Sequence, residues 1–363
     1  MKVAVLGDTH FGVRNDNKAF HDYYEKFYND VFFPTLKERG ITEVIQLGDL
    51  FDRRKYVNFY TLKRSRDYFF DKLVSNEIYM HVFVGNHDTY FKNTNEVNSP
   101  ELLLQDYKRH VSVYSEPTDI SIGPECIKVT LLPWICTENY ERCMEHVQKT
   151  SAQIMFGHLE LAGFEMHRGA INDHGMDAKP FDKFDMVMSG HYHHKSSKGN
   201  IHYLGTPYEM TWSDYNDPKG FHIFDTETRE LEFIQNPHNM FQKWFYNDSD
   251  WADQEFMGGL DFTLAKDSFI KVVVKNKTNP YWFDMYITKL EKAGALDIQV
   301  VDDNLNLQLE DDDSIIDEAE DTLTILKNYA SQVSTTIDTS ELNKFLTDLY
   351  DEALAVEWFI LKN

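Results

Sequence analysis

The sequence predicts a layered α/β domain over residues 1–235, because short apolar runs alternate there with segments of helical periodicity. The chain has 363 residues, and at ~150 residues per domain this length predicts about two domains. Hydrophobic residues make up 42% of the chain, enough to bury a sizeable core. A wholly disordered protein is therefore excluded.

Six apolar runs predict the strands of this domain: residues 2–7, 43–48, 79–85, 127–132, 153–157 and 185–190. Helical periodicity predicts helices at 18–39, ended by Gly40, at 59–74 and near 138–149. A further helix is expected to begin at Ser99-Pro100-Glu101. A capping hydroxyl, an early proline and an acid all suit a helix N-terminus.

The sequence of the C-terminal third predicts a small second unit followed by an acidic tail. Residues 236–262 indicate a connector, and residues 268–302 a compact β-α-β unit whose helix begins at Asn279-Pro280 and ends at Gly294. Residues 302–322 hold ten acids and no Lys or Arg, which predicts a solvated linker or the rim of a charged helix. Apolar residues then recur at helical spacing from Leu342 to Phe359. Such an amphipathic helix either folds back on the body or docks on a partner.

The charge is strongly negative and unevenly distributed. The net charge is −24, and residues 301–363 hold 16 acids against 3 lysines. An acidic protein binds phosphate backbones poorly without help. If this chain handles nucleic acid, it needs a local basic patch, a bound metal or a partner.

Cysteine content and the N-terminus favour a reducing, cytoplasmic setting. Cys126, Cys136 and Cys143 cannot form a closed disulfide set, and they contain no CxxC pair. The first apolar run is too short for a secretory signal. No stretch approaches the ~18 apolar residues that a membrane helix needs.

The sharpest signal is five apolar runs that each end in Gly followed by a side chain able to bind metal. These side chains are Asp8, Asp49, Asn86, His158 and His191. Ligands beyond the carboxyl ends of strands can converge on one point. Glycine lets the backbone turn sharply there.

Neighbouring residues extend the set to seven. His10 lies two residues after Asp8, and His193 two residues after His191. Oxygen and imidazole ligands without thiolate suit Mn²⁺, Fe²⁺, Zn²⁺ or Mg²⁺. Seven ligands exceed the needs of one ion, but they fit two ions that share a bridging carboxylate. Such a pair clamps the attacking and departing oxygens of a displacement at phosphorus.

These blocks resemble the metallophosphoesterase (calcineurin-like) superfamily: D-x-H at 8–10, G-D at 48–49, G-N-H-D at 85–88, G-H at 157–158 and G-H-x-H at 190–193. The longer strings GDTHFG, GDLFDRRK, GNHDTYFKN, LLPW at 131–134 and LGTPYEMTWSD at 204–214 are similar to SbcD-type DNA repair nucleases. Within that group, the chain most resembles the nuclease subunits of bacteriophage recombination endonucleases.

The resemblance implies an α+β fold: an α-β-β-α sandwich with a small β-α-β capping domain and a C-terminal helical partner-binding segment. The implied domains are a nuclease domain at 1–240, a capping domain at 241–305, and an acidic linker with an ATPase-binding helix at 306–363. The implied partners are DNA, an SbcC-type ABC ATPase bound through the C-terminal helix, and a second copy in a homodimer, with no membrane. For a phage protein, the compartment is the cytoplasm of the bacterial host.

The implied activity is hydrolysis of DNA phosphodiester bonds by metal-activated water, as an exonuclease or endonuclease in DNA end processing, recombination and repair. Asp8, His10 and His193 would bind one ion, Asn86, His158 and His191 the other, and Asp49 would bridge them. We expect Mn²⁺, with Mg²⁺ as the alternative. His87 would serve the leaving oxygen, and Asp88 would orient His87 by holding one ring nitrogen.

Six cations follow the second motif without an intervening acid: Arg53, Arg54, Lys55, Lys63, Arg64 and Arg66. They are expected beside the metal site, where they could hold phosphates. The alternatives are a solvated helix face and a dimer surface. Asp52 stands where archaeal and eukaryotic relatives carry a histidine associated with exonuclease action, so that behaviour does not carry over directly.

Two other functions stay open from the sequence. One is a phosphoesterase of the same fold that acts on a small phosphate ester or cyclic nucleotide, and the other is a non-catalytic binding module. His167 and His174, in a Gly-rich loop between the fourth and fifth motifs, either contact substrate or belong to ordinary surface.

Overall fold

The computed structural model describes residues 1–123, 125–167, 169–249 and 254–302. Residues 303–322 of the predicted acidic linker, the predicted helix at 342–359 and the predicted partner-binding segment at 306–363 lie outside the described residues. Across the described ranges, no helix combines the length and the apolar character needed to cross a membrane.

The strands carry most of the framework. In chain order they are β1 Lys2–Leu6, β2 Glu43–Gln46, β3 Tyr79–Phe83, β4 Val111–Tyr114, β5 Thr118–Ile122, β6 Ile127–Leu132, β7 Ile154–His158, β8 Glu165–His167, β9 Ala170–Ile171, β10 Met186–Gly190, β11 Ser196–Lys198, β12 Ile201–Tyr203, β13 Gly220–Asp225, β14 Leu231–Gln235, β15 Phe241–Asn247, β16 Phe269–Asn276 and β17 Asp297–Asp302.

The helices are mostly short. Within the described residues they are α1 Lys18–Phe27, α2 Phe33–Arg39, α3 Phe59–Ser65, α4 Asp71–Ser75, α5 Ser99–Leu103, α6 Tyr140–Lys149 and α7 Pro280–Ala293. A further helical turn, Val13–Asp16, is left-handed at Arg14 and Asn15. Two π-helical turns, Tyr28–Phe32 and Arg66–Phe70, join α1 to α2 and α3 to α4. Five 3₁₀ turns lie at Gln105–Tyr107, Lys179–Phe181, Trp212–Asp214, Gln254–Gly259 and Phe262–Ala265.

Two six-stranded sheets form the body of the molecule. The first has the order β14-β13-β1-β2-β3-β4, and its strands β1 to β4 are parallel. The second has the order β11-β12-β10-β7-β6-β5, and β12, β10, β7 and β6 are parallel. Parallel strands end at one edge of a sheet, so both sheets bring several carboxyl ends together.

The core lies between these two sheets. Val3, Val5 and Ile45 of the first sheet pack with Ile154 and Phe156 of the second, all without solvent exposure. The outer face of the second sheet packs on α6, through Cys143 and Val147, with Met155 and Val187. On the first sheet, Phe27 of α1 and Phe32 of the following π turn pack on Phe221 of β13, at 6.3 and 5.0 Å between ring centroids. The layers are therefore α-β-β-α, and the predicted fold class is confirmed.

The helical segments predicted at 18–39 and 59–74 are each interrupted by a π turn. Pro34 lies in the first turn of α2, directly after the first π turn, where its missing N–H does not break a hydrogen bond. The widened turns place aromatic rings against one another, since Tyr28 packs on Tyr68 at 5.7 Å and on Phe69 at 4.7 Å between ring centroids. Gly40 ends α2 with a left-handed φ of 64°, as predicted.

A small parallel sheet follows the two-sheet body. β15, β16 and β17 pair in that order, and α7 covers one face through Phe283, Tyr286 and Leu290. The predicted β-α-β unit therefore has a third strand. The prediction that residues 236–262 form a connector is wrong for Phe241–Asn247, which form β15. The strand β15 was not predictable because its hydrogen-bond partners lie on β16, far along the chain, and because its residues do not alternate between buried and exposed.

Candidate metal centre

The predicted ligands lie at the carboxyl ends of five strands. Asp8, Asp49 and Asn86 follow β1, β2 and β3 of the first sheet, and His158 and His191 stand at the ends of β7 and β10 of the second. Four of these side chains are buried, and that of His191 is partly buried. The parallel pairing of β1 with β2, β2 with β3, and β7 with β10 brings these chain positions together.

The first group of candidate ligands contains Asp8, His10 and His193. One ligand atom from each lies within 4.8 Å of the other two. His10 Nε2 lies 3.1 Å from His193 Nε2, and His193 Nε2 lies 4.0 Å from Asp8 Oδ2. The loop after β10 and the loop after β1 therefore meet here.

The second group contains Asp49, His158 and His191, again within 4.8 Å of one another. Asn86 completes it, because its Oδ1 lies 2.8 Å from His158 Nε2 and 2.9 Å from His191 Nδ1. Asp49 also connects the two groups: its Oδ2 lies 3.3 Å from His158 Nε2 and 3.8 Å from His10 Nε2. The seven predicted ligands are thus brought together in two groups with one carboxylate between them.

Three of the glycines that precede ligands, Gly48, Gly85 and Gly190, lie in close contact with ligand side chains from other strands. A Cβ on Gly190 would lie 2.3 Å from Asp8 Oδ1, and one on Gly85 would lie 2.2 Å from Asp49 Oδ1. At Gly48, a Cβ would lie 2.6 Å from His158 Nδ1, and φ is also positive at 92°. Among these three, the predicted sharp turn applies to Gly48, whereas Gly85 and Gly190 are needed for close approach.

Backbone strain concentrates at the ligands. His10, Asp49 and His191 have φ values of 41°, 49° and 85°, which residues other than glycine rarely adopt. Hydrogen bonds hold these conformations: the Asp49 carbonyl accepts from the N–H of Thr9 and of His10, and Asp8 Oδ2 accepts from His191 N at 2.8 Å. Strain of this kind persists where surrounding structure over-determines it, commonly at functional sites.

The donor atoms suit cations. The Leu47 carbonyl accepts the Nδ1–H of His158 at 2.8 Å, which leaves the Nε2 lone pair facing Asn86 Oδ1 and Asp49 Oδ2. Asp8 Oδ1 is buried and has no hydrogen-bond partner within the described residues. Electron pairs that converge in this way need a positive charge between them, so the residues fit divalent ions.

The crowding of buried carboxylates and imidazoles also shifts the pKa values of the candidate ligands. Burial raises the pKa of Asp8 to about 7. Burial opposes protonation of His10, but hydrogen bonding to Asp52 and the charge of Asp49 outweigh it and raise the His10 pKa to about 10. Burial acts to raise the pKa of Asp49, yet the charge of His158 holds it well below its usual range. His10 therefore holds a proton at neutral pH that a bound metal ion would replace, whereas Asp49 is ionised.

The expected role of Asp88 is wrong. Its carboxylate accepts hydrogen bonds from the main-chain N–H of Leu50, Phe51 and Gly85 at 3.0–3.2 Å. It therefore ties the turn that carries Asp49 to the turn that carries Asn86. His87 instead donates its Nδ1–H to the main-chain carbonyl of Asp52 at 2.6 Å, and its ring meets that of His10 edge-on at 4.8 Å. The carboxylate of Asp52 lies 3.4 Å from His10 Nδ1.

The six predicted DNA-binding cations are largely engaged with acids. Arg53 pairs with Asp16, Lys63 with Asp67, Arg64 with Asp22 and Glu25, and Arg66 with Asp106. Arg54 donates to Thr89 Oγ1, next to the turn of Asp88. Four of the six charges are thus balanced by acids. Asp67 follows the cations directly, whereas the partners of Arg53, Arg64 and Arg66 lie elsewhere in the sequence, which the local count of cations could not reveal.

Sequence reasoning missed the loop at 204–219 as a support for the ligands. The Tyr208 hydroxyl donates to the Thr9 carbonyl at 2.7 Å, between Asp8 and His10. The buried Lys219 ammonium donates to the His193 carbonyl at 2.8 Å and pairs with Asp214 and Asp217 at 2.7 and 2.8 Å. The acids that pair with Lys219 are near it in sequence, but the role is not visible there because the supported carbonyl, that of His193, belongs to another motif.

The chain matches known proteins. Residues 1–195 match the family of calcineurin-like phosphoesterases. Exonuclease subunit 1 of enterobacteria phage T4 is 33% identical over 359 residues, which cover 97% of this chain and 99% of that protein. The SbcD subunit of the SbcCD nuclease of Staphylococcus epidermidis is 22% identical over 265 residues, which cover 64% of this chain and 67% of that protein.

Proposed function

Because the chain belongs to the calcineurin-like phosphoesterase family, we propose that it is a metal-dependent DNA nuclease that hydrolyses phosphodiester bonds. The observation that carries the proposal is the convergence of the seven candidate ligands in two groups, with Asp49 between them. The phage T4 relative, which matches over almost the full length of both chains, is named an exonuclease subunit.

The proposed metal centre takes two divalent ions, Mn²⁺ first and Mg²⁺ as the alternative. Asp8, His10 and His193 hold one ion, Asn86, His158 and His191 hold the other, and Asp49 bridges them. When bound, such ions neutralise phosphate charge and make a water a stronger nucleophile. The chain fixes the donor atoms beforehand, because main-chain hydrogen bonds hold the backbone at His10, Asp49 and His191.

His87 is the proposed proton donor to the leaving oxygen. Its Nδ1–H is committed to the Asp52 carbonyl, so Nε2 is the nitrogen left to hold a proton for the substrate. The ring stands edge-on to His10 and is mostly buried, so it has little freedom to turn. Asp88 acts as a positioning residue, through the main chain of both neighbouring turns.

The proposed domains are a nuclease domain at 1–240, a capping domain at 241–305 and a partner-binding segment at 306–363. Both named relatives are subunits of larger enzymes, which supports a partner subunit. We propose an SbcC-type ABC ATPase, on the resemblance. Removal of residues 310–363 should leave basal DNA cleavage and abolish co-purification with that ATPase. Continued co-purification of the truncated chain would contradict this docking proposal.

A homodimer is proposed through the helices after the second and third motifs. Phe59 of α3 is 89% exposed and Leu102 of α5 is 67% exposed. Together with Tyr56, Tyr90 and Val97 they surround a cavity of about 210 Å³. Exposed apolar patches of this kind mark protein interfaces. The neighbouring cations, Arg54 and Lys55 among them, are the proposed DNA contacts at the edge of this surface.

Turnover of three substrates by the full chain tests the proposed function. Duplex or single-stranded DNA, a cyclic nucleotide and a chromogenic phosphodiester are compared with Mn²⁺ and with a chelator. We expect Mn²⁺-dependent cleavage of DNA that the chelator abolishes. Turnover of the cyclic nucleotide without cleavage of any DNA would instead favour a small-molecule phosphoesterase.

A further inference from the structure

A small cavity adjoins the half of the metal centre formed by His158 and His191. It has a volume of about 140 Å³ and is lined by Trp134, Ile135, His158, Glu160, His174 and Met176. A cavity of about 150 Å³ has room for a benzene ring. One planar ring is therefore the scale of group that this cavity can take.

Trp134 forms a fixed aromatic wall of the cavity. Its ring lies 5.2 Å from the ring of His191 and 6.0 Å from that of His158, measured between centroids. Its main-chain N–H donates to the Val84 carbonyl at 2.8 Å. Its own carbonyl accepts from Asn95 Nδ2 and Asn139 Nδ2, both at 2.9 Å and both from buried side chains. The indole thus stands on a rigid main chain beside the ligands.

The opposite wall is equally well fixed. Met176 N–H donates to the Glu160 carbonyl at 2.8 Å, and Ala162 N–H donates to the Met176 carbonyl at 3.0 Å. The two segments pack so closely that a Cβ on Gly175 would lie 2.5 Å from the Leu161 carbonyl carbon. Residues 172–176 are therefore bound to residues 160–164 and do not hang over the site as a free loop.

Polar groups lie at the edge of this cavity. Glu160 Oε1 accepts from Asn172 Nδ2 at 3.2 Å, which orients the carboxylate. The main-chain N–H of His174 donates to Asn172 Oδ1 at 2.8 Å, and the His174 side chain is exposed. Within the described residues, no hydrogen bond is formed by the Trp134 indole N–H or by the His174 ring. The cavity thus combines apolar side chains, Trp134, Ile135 and Met176, with polar groups that can form hydrogen bonds.

We infer that this cavity holds an unpaired nucleobase of the DNA strand being cleaved, stacked on Trp134. The inference rests on the proposed function, since it assigns a subsite to the same substrate. The base of a nucleotide is one sugar away from its phosphate, and the cavity shares His158 with the candidate metal ligands. Bases stack on aromatic side chains irrespective of sequence, and a base of a duplex would have to leave its pair to enter this cavity.

The experiment combines a change in the substrate with a change at Trp134. Single-stranded oligonucleotides that each carry one abasic nucleotide, placed at successive positions from the end, are cleaved by the Mn²⁺-loaded full chain. Base stacking predicts that wild type loses about 5- to 150-fold in kcat/KM at the one position that fills the cavity. Trp134→Ala should show that loss on normal DNA and no further loss at the abasic position, whereas Trp134→Phe should keep most of the wild-type preference.

Three measurements separate the possible failures. Titration with Mn²⁺ must give the same stoichiometry for wild type and Trp134→Ala, which shows that the metal centre is intact. Tyr79→Ala is the matched control, because it removes a ring stacked on His110 at 5.1 Å next to the opposite ends of the strands, and kcat/KM should not change. If wild type cleaves normal and abasic DNA equally at every position, the base site is overturned and the nuclease function stands. If wild type cleaves no DNA, the proposed function itself fails.

Discussion

At the scale of single residues, glycines of this centre pack closely against candidate ligands from other strands. Gly85 and Gly190 each leave just enough room for an aspartate from a neighbouring loop, so the ligands interlock across strands. A side chain as small as a methyl group would displace Asp49 or Asp8.

Gly190→Ala should therefore lower the affinity for Mn²⁺ by roughly 10- to 100-fold, the range seen when residues that support ligands are changed. Isothermal titration with Mn²⁺ measures this. Gly258→Ala is the control, because a Cβ there meets nothing within 4 Å and affinity should be unchanged. Equal affinity of Gly190→Ala and wild type would contradict the interlocked arrangement.

His87→Ala should separate catalysis from metal binding. His87 belongs to neither of the two ligand groups. It clusters instead with His10 and Asp52, an arrangement that the two proposed ions do not use, so the Mn²⁺ stoichiometry should stay as in wild type. DNA cleavage should fall by about 10²- to 10⁴-fold, the usual contribution of a general acid. His110→Ala, a change beside the opposite ends of the strands, is the control. Full activity of His87→Ala would refute the role given to this histidine.

Residue identities could be predicted from the sequence where one motif carries the whole signal. Asp8 and His158 stand out because each follows an apolar run and Gly. The role of Asp88 could not be predicted, since its partners Leu50 and Phe51 lie in another motif. The support from Tyr208 and Lys219 was missed for the same reason: contacts between distant segments leave no local pattern.

At the scale of elements, strands in the middle of a sheet could be predicted from the sequence, whereas the edge strand β15 could not. β1 and β7 are continuous apolar runs because both of their faces are covered. β15 is partly exposed and irregular, with Phe245 58% exposed and Tyr246 buried, so its sequence resembles a loop. The helix predicted to begin with Ser99 as its cap instead uses Asn98, whose Oδ1 accepts from Glu101 N at 2.9 Å, while Ser99 Oγ donates to the Asp88 carbonyl.

The attachment of β15 to the body predicts a pH dependence of stability. Burial raises the pKa of Glu209 from 4.5 to about 7, although its carboxylate accepts hydrogen bonds from Met240 N and Phe241 N. Below pH 4.5 the carboxyl is protonated in both folded and unfolded chains. As the pH rises to 7, the unfolded chain ionises first, so stability is lost, on the order of 3 kcal/mol at 1.36 kcal/mol per unit.

Glu209→Gln should remove this loss. Urea unfolding of wild type and variant at pH 5 and pH 8 measures it, and the variant should gain stability relative to wild type at pH 8 more than at pH 5. An identical pH dependence of the two proteins would show that Glu209 does not titrate as proposed.

At the scale of the whole molecule, the proposed homodimer would cover the exposed apolar surface on α3 and α5. Phe59→Glu places a charge at the centre of the patch on α3 and α5, and the dimer should weaken by roughly 2 kcal/mol or more, as for a central interface residue. Sedimentation velocity over a range of concentrations measures this. Tyr281→Glu changes an aromatic ring of similar type, 65% exposed on α7, and should leave assembly unchanged. A monomeric wild type would contradict the proposed dimer.

The uptake of Mn²⁺ by the full chain is the most direct measurement of the central claim, which is that seven side chains from five motifs cage two ions. Equilibrium titration followed by electron paramagnetic resonance should give two Mn²⁺ per chain, magnetically coupled to each other. Asp8→Asn should weaken the binding of one ion, and Asp49→Asn should weaken the binding of both. No uptake of Mn²⁺, or a single uncoupled ion that survives both substitutions, would contradict the account.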